Sequence, residues 1–284
     1  MEEKILEVRN LMTQYATGNN MVTVVNNVSF DLFLGRSLAI VGESGSGKSA
    51  MALSLMRLIE PPIGTVTGEG IWLEGKDILQ LSLKEMQEIR GNRISMIFQE
   101  PMTALNPVFT IGEQIMETIQ LHQQVGPKEA KIGSIELLRL VGIPAPHQRM
   151  LDYPHQLSGG MRQRVMIAIA LACNPAVLIA DEPTTALDVT TQAQIMDLIQ
   201  RLQAEKKMGI ILITHDLGIV AEACDEVVVM YGGSIVEKSP VATIFNGPLH
   251  PYTQALLDAI PPLSGRPERL RTIGGVVPSL SDLP

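Results

Sequence analysis

Eight consecutive residues, Gly42-Glu43-Ser44-Gly45-Ser46-Gly47-Lys48-Ser49, bring together what gripping a polyphosphate requires: glycines, a lysine and a hydroxyl. They follow the apolar run Leu38–Val41 and precede the helix-like run Ala50–Met56. That is the strand-and-helix context the spacing G-x-x-x-x-G-K-[ST] needs. Glycines let the backbone turn its N–H groups inward, and a helix starting near Lys48 adds its positive dipole end to the same anion site. Lys48 is then expected to reach the β- and γ-phosphates, and the Ser49 hydroxyl to ligate Mg²⁺. The bland reading is a glycine-rich turn joining strand to helix; the lysine, the serine and both flanks argue against it.

Three further groups have chemistry-bearing types. Asp181 and Glu182 follow the apolar run Val177–Ala180, which puts adjacent carboxylates at the C-terminal edge of a buried sheet, where ligands bind in α/β proteins. There Asp181 would orient a Mg²⁺ shell and Glu182 would position or polarise an attacking water. Taken alone, Asp181 could equally cap the next turn. Ser158-Gly159-Gly160 precedes a helix-like run, Arg162–Ala172, and would present a second set of helix N-terminal amides to an anion. As an isolated pentapeptide, Leu157–Met161 could also be an ordinary helix cap. His215 follows the run Ile210–Ile213 and precedes Asp216. The other four histidines, at 122, 147, 155 and 250, have no metal-like spacing and receive no role.

The elements that must position these groups are legible as periodicities. Ile5–Val8 and Val22–Leu34 alternate apolar with polar residues, and glycines 68, 70 and 75 punctuate a stretch containing Ile71-Trp72-Leu73. An antiparallel β layer near the N-terminus follows. Ile94–Phe98 reads as a buried strand, and residues from Ile111 to about Pro154 have helical apolar spacing, as at Ile132, Ile135, Leu138 and Val141. Val177–Ala180 and Ile210–Ile213 suit parallel strands buried on both faces, with an amphipathic helix over Thr191–Glu205 between them. The fold class expected is α/β: a P-loop core with an N-terminal antiparallel β layer and a helical insertion.

Composition narrows the function classes. The 284 residues are 45% hydrophobic, enough for one large domain or a domain with an insertion. A formal net charge of −8 speaks against a broad basic face, so no nucleic-acid partner is expected. Two cysteines, Cys173 and Cys224, make neither a disulfide framework nor a zinc site, and reduced intracellular thiols are the default. Met1-Glu2-Glu3-Lys4 does not open a secretory signal, so a cytoplasmic location is expected. The longest apolar run, Val165–Cys173, is about half the ~20 residues a membrane-spanning helix requires, so membrane association would go through a partner. The Pro-, Gly- and Ser-rich tail from Pro261 reads as an irregular extension.

In order and spacing these motifs resemble the ATP-binding subunits of ATP-binding-cassette transporters, over roughly residues 5–262. Gly42–Ser49 is similar to that family's Walker A loop, Gln99 to its Q-loop glutamine and Ser158-Gly159-Gly160 to its signature. Val177–Asp181 resembles Walker B, Glu182 the catalytic carboxylate, Ala186-Leu187-Asp188 the D-loop and His215 the switch histidine. Tyr15 is similar in position to the aromatic that stacks on adenine. Met161 departs from the glutamine most members carry and cannot donate that amide hydrogen bond. The same methionine, with residues 99–107 (QEPMTALNP) and 250–257 (HPYTQALL), resembles the peptide and nickel import branch.

The resemblance implies a RecA-like cassette over residues 1–262, with a core at about 1–98 and 165–240, a helical signature insertion at about 99–164, and an extension at 263–284. It implies ATP and Mg²⁺, with catalytic roles for Glu182, His215 and Lys48. Nucleotide contacts fall to Tyr15, Gly42, Ser44, Gly45, Gly47, Lys48, Ser49, Ala50, Gln99 and Asp188, with Ser158, Gly159 and Gly160 serving a facing cassette. Metal contacts fall to Ser49, Gln99 and Asp181, the last directly or through water. Implied partners are a second, identical or related ATP-binding subunit in a head-to-tail dimer, two transmembrane permease subunits and, indirectly, an extracytoplasmic solute-binding protein. The chain would lie on the cytoplasmic face of a bacterial or archaeal membrane and power import of dipeptides, oligopeptides or a related small solute. In that branch a segment like Val277-Pro278-Ser279-Leu280 often leads into a cysteine cluster for an iron–sulfur centre; such a cluster belongs to a longer chain, and no ligands for it are present here. The alternatives are a nickel or metal-chelate importer ATPase, a soluble cassette protein of DNA repair or translation, and a regulatory subunit that holds ATP without cleaving it. A single Walker A loop without sustained heptads speaks against the soluble class, and Glu182 with His215 against the regulatory one.

Overall fold

A computed structural model describes residues 3–18, 20–185 and 187–259. The chain divides into two compact units, Met1–Gln80 with Ile211–Pro284 and Leu81–Ile210. In chain order, the first stretch holds β1 (Lys4–Thr17), β2 (Asn20–Phe33), β3 (Ser37–Val41), α1 (Lys48–Leu55), β4 (Gly64–Thr67), β5 (Gly70–Leu73) and β6 (Lys76–Asp77). The second unit holds α2 (Leu83–Ile89), β7 (Ile94–Ile97), α3 (Pro101–Ala104), α4 (Ile111–Gln123), α5 (Pro127–Leu140), α6 (Pro146–Arg149), α7 (Gly159–Ala170), β8 (Val177–Asp181) and α8 (Val189–Lys206). The strand β9 (Gly209–Ile213) runs across the division, and α9 (Leu217–Ala223), β10 (Glu226–Tyr231), β11 (Ser234–Pro240), α10 (Val241–Asn246) and α11 (Pro251–Asp258) return to the first unit.

Within the first unit, β1 pairs antiparallel with β2, β4 and β5, giving the expected antiparallel layer. Strand β1 outruns the sequence reading of Ile5–Val8, whereas β2 lies close to the reading of Val22–Leu34. The alternation breaks at Asn10, whose φ of 51° accompanies a register shift between Val8 and Leu11, and it resumes beyond this bulge. The other strands of the unit run in the order β11-β10-β3-β9, with β10 parallel to β3 from Glu226↔Leu38 to Val229↔Val41. Every residue of β3 and of β9 is buried, as strands covered on both faces require. The Asp225 carboxylate fixes the register: it accepts from the Ser37 backbone N–H and hydroxyl, each at 2.8 Å, and from Arg36 Nη1 at 2.8 Å.

In the second unit, β7 lies parallel to β8, from Ile94↔Val177 to Ile97↔Ala180. Phe98, expected at the end of this strand, falls outside it and is exposed, because pairing stops at Ile97 and the chain turns away. Two amphipathic helices follow where a helical insertion was expected. Helix α4 starts in a reciprocal cap: the Glu113 N–H donates to Thr110 Oγ1 while Glu113 accepts from the Thr110 N–H. On α5 the buried face is Ala130, Ser134, Ile135 and Leu138, the i, i+4, i+5, i+8 positions of one stripe. Ile132 was expected on that face; two residues from Ala130 it points about 200° around the helix and is 58% exposed.

Candidate functional site

The glycine-rich loop leaves β3 at Val41 and enters α1 at Lys48, so it hangs from the carboxyl end of a fully buried strand. Gly42 and Gly47 have φ of 152° and 98°, a region side chains rarely enter. A Cβ at Gly42 would lie 2.3 Å from the Met230 carbonyl oxygen, and one at Gly47 2.4 Å from that of Val24. Both positions therefore demand glycine on two independent grounds. The loop winds around the Lys48 ammonium, which is 6% exposed and donates to the carbonyls of Gly42 and Glu43, each at 2.8 Å, and to Ser46 Oγ at 3.3 Å. Ser44 and Gly45 form the outer bend, and Ser49 and Ala50 lie in the first turn of α1, where N–H groups have no intrahelical acceptor. Such a loop, with a fixed cation at a helix N-terminus, is an arrangement able to take an anion.

In the same unit, His215 follows β9 and is exposed. Its flanks are fixed: the Thr214 N–H donates to the Ile40 carbonyl of β3 at 3.3 Å, and the Asp216 carboxylate caps α9 by accepting from Gly218 and Ile219. Thr214 Oγ1 also accepts the Asp216 N–H at 3.0 Å. The histidine is thus carried on a braced turn beside the strand that feeds the loop. Tyr15 is half-buried near the end of β1, opposite Val22 of β2 and Gly64 of β4.

The second unit assembles the carboxylates. Asp181 ends β8 and is 4% exposed. The cap of the following helix is Asp188 instead: its carboxylate accepts from the Thr191 N–H at 3.0 Å and the Thr191 hydroxyl at 2.7 Å. The Thr191 N–H, and then its hydroxyl, hold Asp188 below its ordinary range. Glu182 has φ of 46°, a left-handed conformation costly for a side-chain-bearing residue. Its Oε2 accepts from Gln99 Nε2 at 2.8 Å and from Thr185 Oγ1 at 2.9 Å. A strained backbone thus aims a carboxylate that two donors from separate segments hold in place.

Ser158 caps α7, accepting the Met161 N–H at 3.4 Å, so the capping reading of this segment holds. Its neighbours lie against the start of α8: a Cβ at Gly160 would meet Thr191 Cγ2 at 2.8 Å, and one at Gly159 would sit 3.8 Å from Leu187. The Ser158–Gly160 segment and Asp188 are therefore brought together around Thr191. Ala186 and the tail beyond Ala259, including residues 277–280 and the 263–284 extension, lie outside the described residues.

The ABC transporter family pattern matches residues 25–185, and the pattern of the oligopeptide/dipeptide transporter C-terminal region matches residues 236–284. The chain is 51% identical over 280 residues to the oligopeptide transport ATP-binding protein AppD of Bacillus subtilis, covering 99% of this chain and 85% of that one. The chain belongs to the ABC transporter family. Similar in the same way is the dipeptide transport ATP-binding protein DppD of Haemophilus influenzae, 50% identical over 280 residues, covering 99% of this chain and 84% of the relative. Among solved structures, a dimeric ATP-binding cassette in a post-hydrolysis state bound to ADP and Pi superposes with a TM-score of 0.74 at 27% identity, covering 84% of this chain and 99% of that one. This chain is accordingly an ABC-type ATPase with the P-loop α/β fold that its sequence implies.

Sequence reasoning missed several supports of this ABC cassette. Thr185 and Thr191 brace Glu182 and Asp188, but threonine at a turn or a helix start carries no distinguishing signal. Tyr252 is a second case: its hydroxyl accepts the Glu43 N–H at 3.0 Å. His250, given no role from spacing, caps α11, where its Nδ1 accepts the Tyr252 N–H at 3.1 Å.

Proposed function

We propose that this cassette is the ATP-binding and ATP-hydrolysing subunit of a peptide importer, powering entry of dipeptides, oligopeptides or a related small solute. The observation that carries the reading is the glycine loop closed around the Lys48 ammonium at the start of α1. A buried cation ringed by backbone groups at a helix N-terminus suits the triphosphate tail of a nucleotide and little else of comparable charge. The peptide half of the reading is supported by relatives named for oligopeptide and dipeptide transport that match 99% of the chain.

In this reading Gly42, Ser44, Gly45, Gly47, Lys48, Ser49 and Ala50 take the phosphates, and Tyr15 stacks on the adenine. Glu182 accepts a proton from the attacking water as its oxygen bonds the γ-phosphorus and the bond to the β-phosphate oxygen breaks, releasing ADP. His215 contacts the γ-phosphate. Asp188 contacts nucleotide, and Ser158, Gly159 and Gly160 serve the nucleotide of a facing cassette, an identical or related subunit in a head-to-tail dimer. The oxygen donors Ser49, Gln99 and Asp181 fit Mg²⁺. Such an ion would share its coordination with phosphate oxygens. Mg²⁺ would neutralise charge on those oxygens.

The cassette would occupy residues 1–262, with residues 263–284 as an extension. It would attach to the cytoplasmic face of the membrane through two permease subunits, and ATP-driven closure would move residues 99–107 and the helical insertion against them. Lys48→Ala should weaken Mg-ATP binding about 10-fold or more and abolish hydrolysis, since it removes a charge-assisted contact; unchanged affinity by calorimetry refutes the cradle. Peptides delivered by a binding protein should stimulate ATPase activity of the reconstituted transporter, and their failure to do so refutes the solute class.

A further inference from the structure

Residues 250–257 enter no part of the chemistry above, yet one of them touches the phosphate loop. The Tyr252 hydroxyl oxygen accepts the backbone N–H of Glu43, the second loop residue, at 3.0 Å across 209 residues of sequence. The same Glu43 gives its carbonyl to Lys48 Nζ at 2.8 Å. This residue is therefore held at both ends, by the catalytic lysine on one side and by α11 on the other. Farther along the loop, the Gly233 N–H between β10 and β11 donates to the Ser46 carbonyl at 3.1 Å.

Tyr252 is itself held firmly. Glu237 of β11 accepts the backbone N–H groups of Leu249 at 2.8 Å and His250 at 3.0 Å, which fastens the entry to α11. Its ring packs on that of Tyr231 with centroids 4.7 Å apart and planes tilted by 52°. Tyr252 also packs against the core cluster containing Val229, Val241 and Ile244. A loop built on glycines has many conformations to lose when it closes on phosphate, so an anchor at its first half lowers the cost of binding.

We propose that Tyr252 is a positioning residue for the nucleotide: by holding the Glu43 N–H it preorganises the phosphate loop and couples the C-terminal segment to ATP affinity. This rests on the ATP-binding reading above, and the test separates the two. In full-length protein, Tyr252→Phe keeps the ring and removes the acceptor. The Kd for Mg-ATP should rise about 3- to 10-fold, as for loss of one neutral hydrogen bond, while kcat at saturating ATP stays within about twofold. Backbone hydrogen exchange at Glu43 in the nucleotide-free protein should quicken in the variant. Tyr231→Phe, trimming only the adjacent hydroxyl, should leave the Kd unchanged. A Tyr252→Phe protein with wild-type Kd and wild-type Glu43 exchange overturns the proposal, as does an equal loss of affinity in Tyr231→Phe. Should the variant not fold, an unprotected Glu43 amide in the wild-type protein overturns it equally. Wild-type protein that binds no Mg-ATP overturns this inference and the functional reading together.

Discussion

Glu182 shows how the surroundings fix the direction of a single carboxylate. Its left-handed backbone is a conformation that costs of order 1–3 kcal/mol and persists only where surroundings impose it. Gln99 and Thr185 both donate to the same carboxylate oxygen, fixing its direction. A carboxylate held this way suits a general base, whose contribution is typically 10²–10⁴-fold. Glu182→Gln should therefore cut ATP turnover about 100-fold or more while Mg-ATP binding survives, as single-turnover and binding measurements would show; turnover within about threefold of wild type would remove Glu182 from the role of base. Lys48, Ser49 and Glu182 were legible as types at set spacings. The pairing of Gln99 with Glu182 was not, because 83 residues separate them and only the turn beyond β7 brings the amide to the carboxylate.

At the scale of elements, the parallel pairing of β3 with β10 decides where the loop begins. Asp225 pins that register through Ser37 and Arg36. Burial pushes its carboxyl up, but the Ser37 N–H and hydroxyl and the Arg36 guanidinium prevail and hold it below its ordinary value of 3.8. A group with a depressed folded-state value stabilises the fold above its unfolded value, and that contribution is lost as pH falls through the folded one. Wild type should accordingly resist urea better than Asp225→Asn near neutral pH. The gap should begin to close below about pH 5 and go on closing as pH falls through and below the ordinary value of 3.8; a gap independent of pH would show that the carboxylate charge contributes nothing. The strands β3, β8 and β9 were readable because burial on both faces leaves continuous apolar runs. The far half of β1 was not, since the bulge at Asn10 resets the alternation that periodicity depends on.

At the scale of the whole molecule, no helix among the described residues is long and apolar enough to cross a membrane. In the proposed function the chain reaches the bilayer through its permease partners. Membranes from cells expressing the complete importer should therefore release this chain into the supernatant on alkaline carbonate extraction while the permeases stay in the pellet. Retention of the chain with the permeases would contradict peripheral attachment.

The amino-acid sequence by itself determined the glycine-rich loop, the order of the motifs and the class of fold, because a tight turn from strand to helix needs particular residue types at consecutive positions and buried parallel strands need unbroken apolar runs. Only the tertiary structure decided which side chains support those groups. Thr191 joins the Ser158–Gly160 segment to Asp188, and Tyr252 reaches Glu43 from the far end of the chain. Such contacts depend on where strands and helices return in space, and hydrogen bonds between distant segments leave no periodic trace in the order of residues.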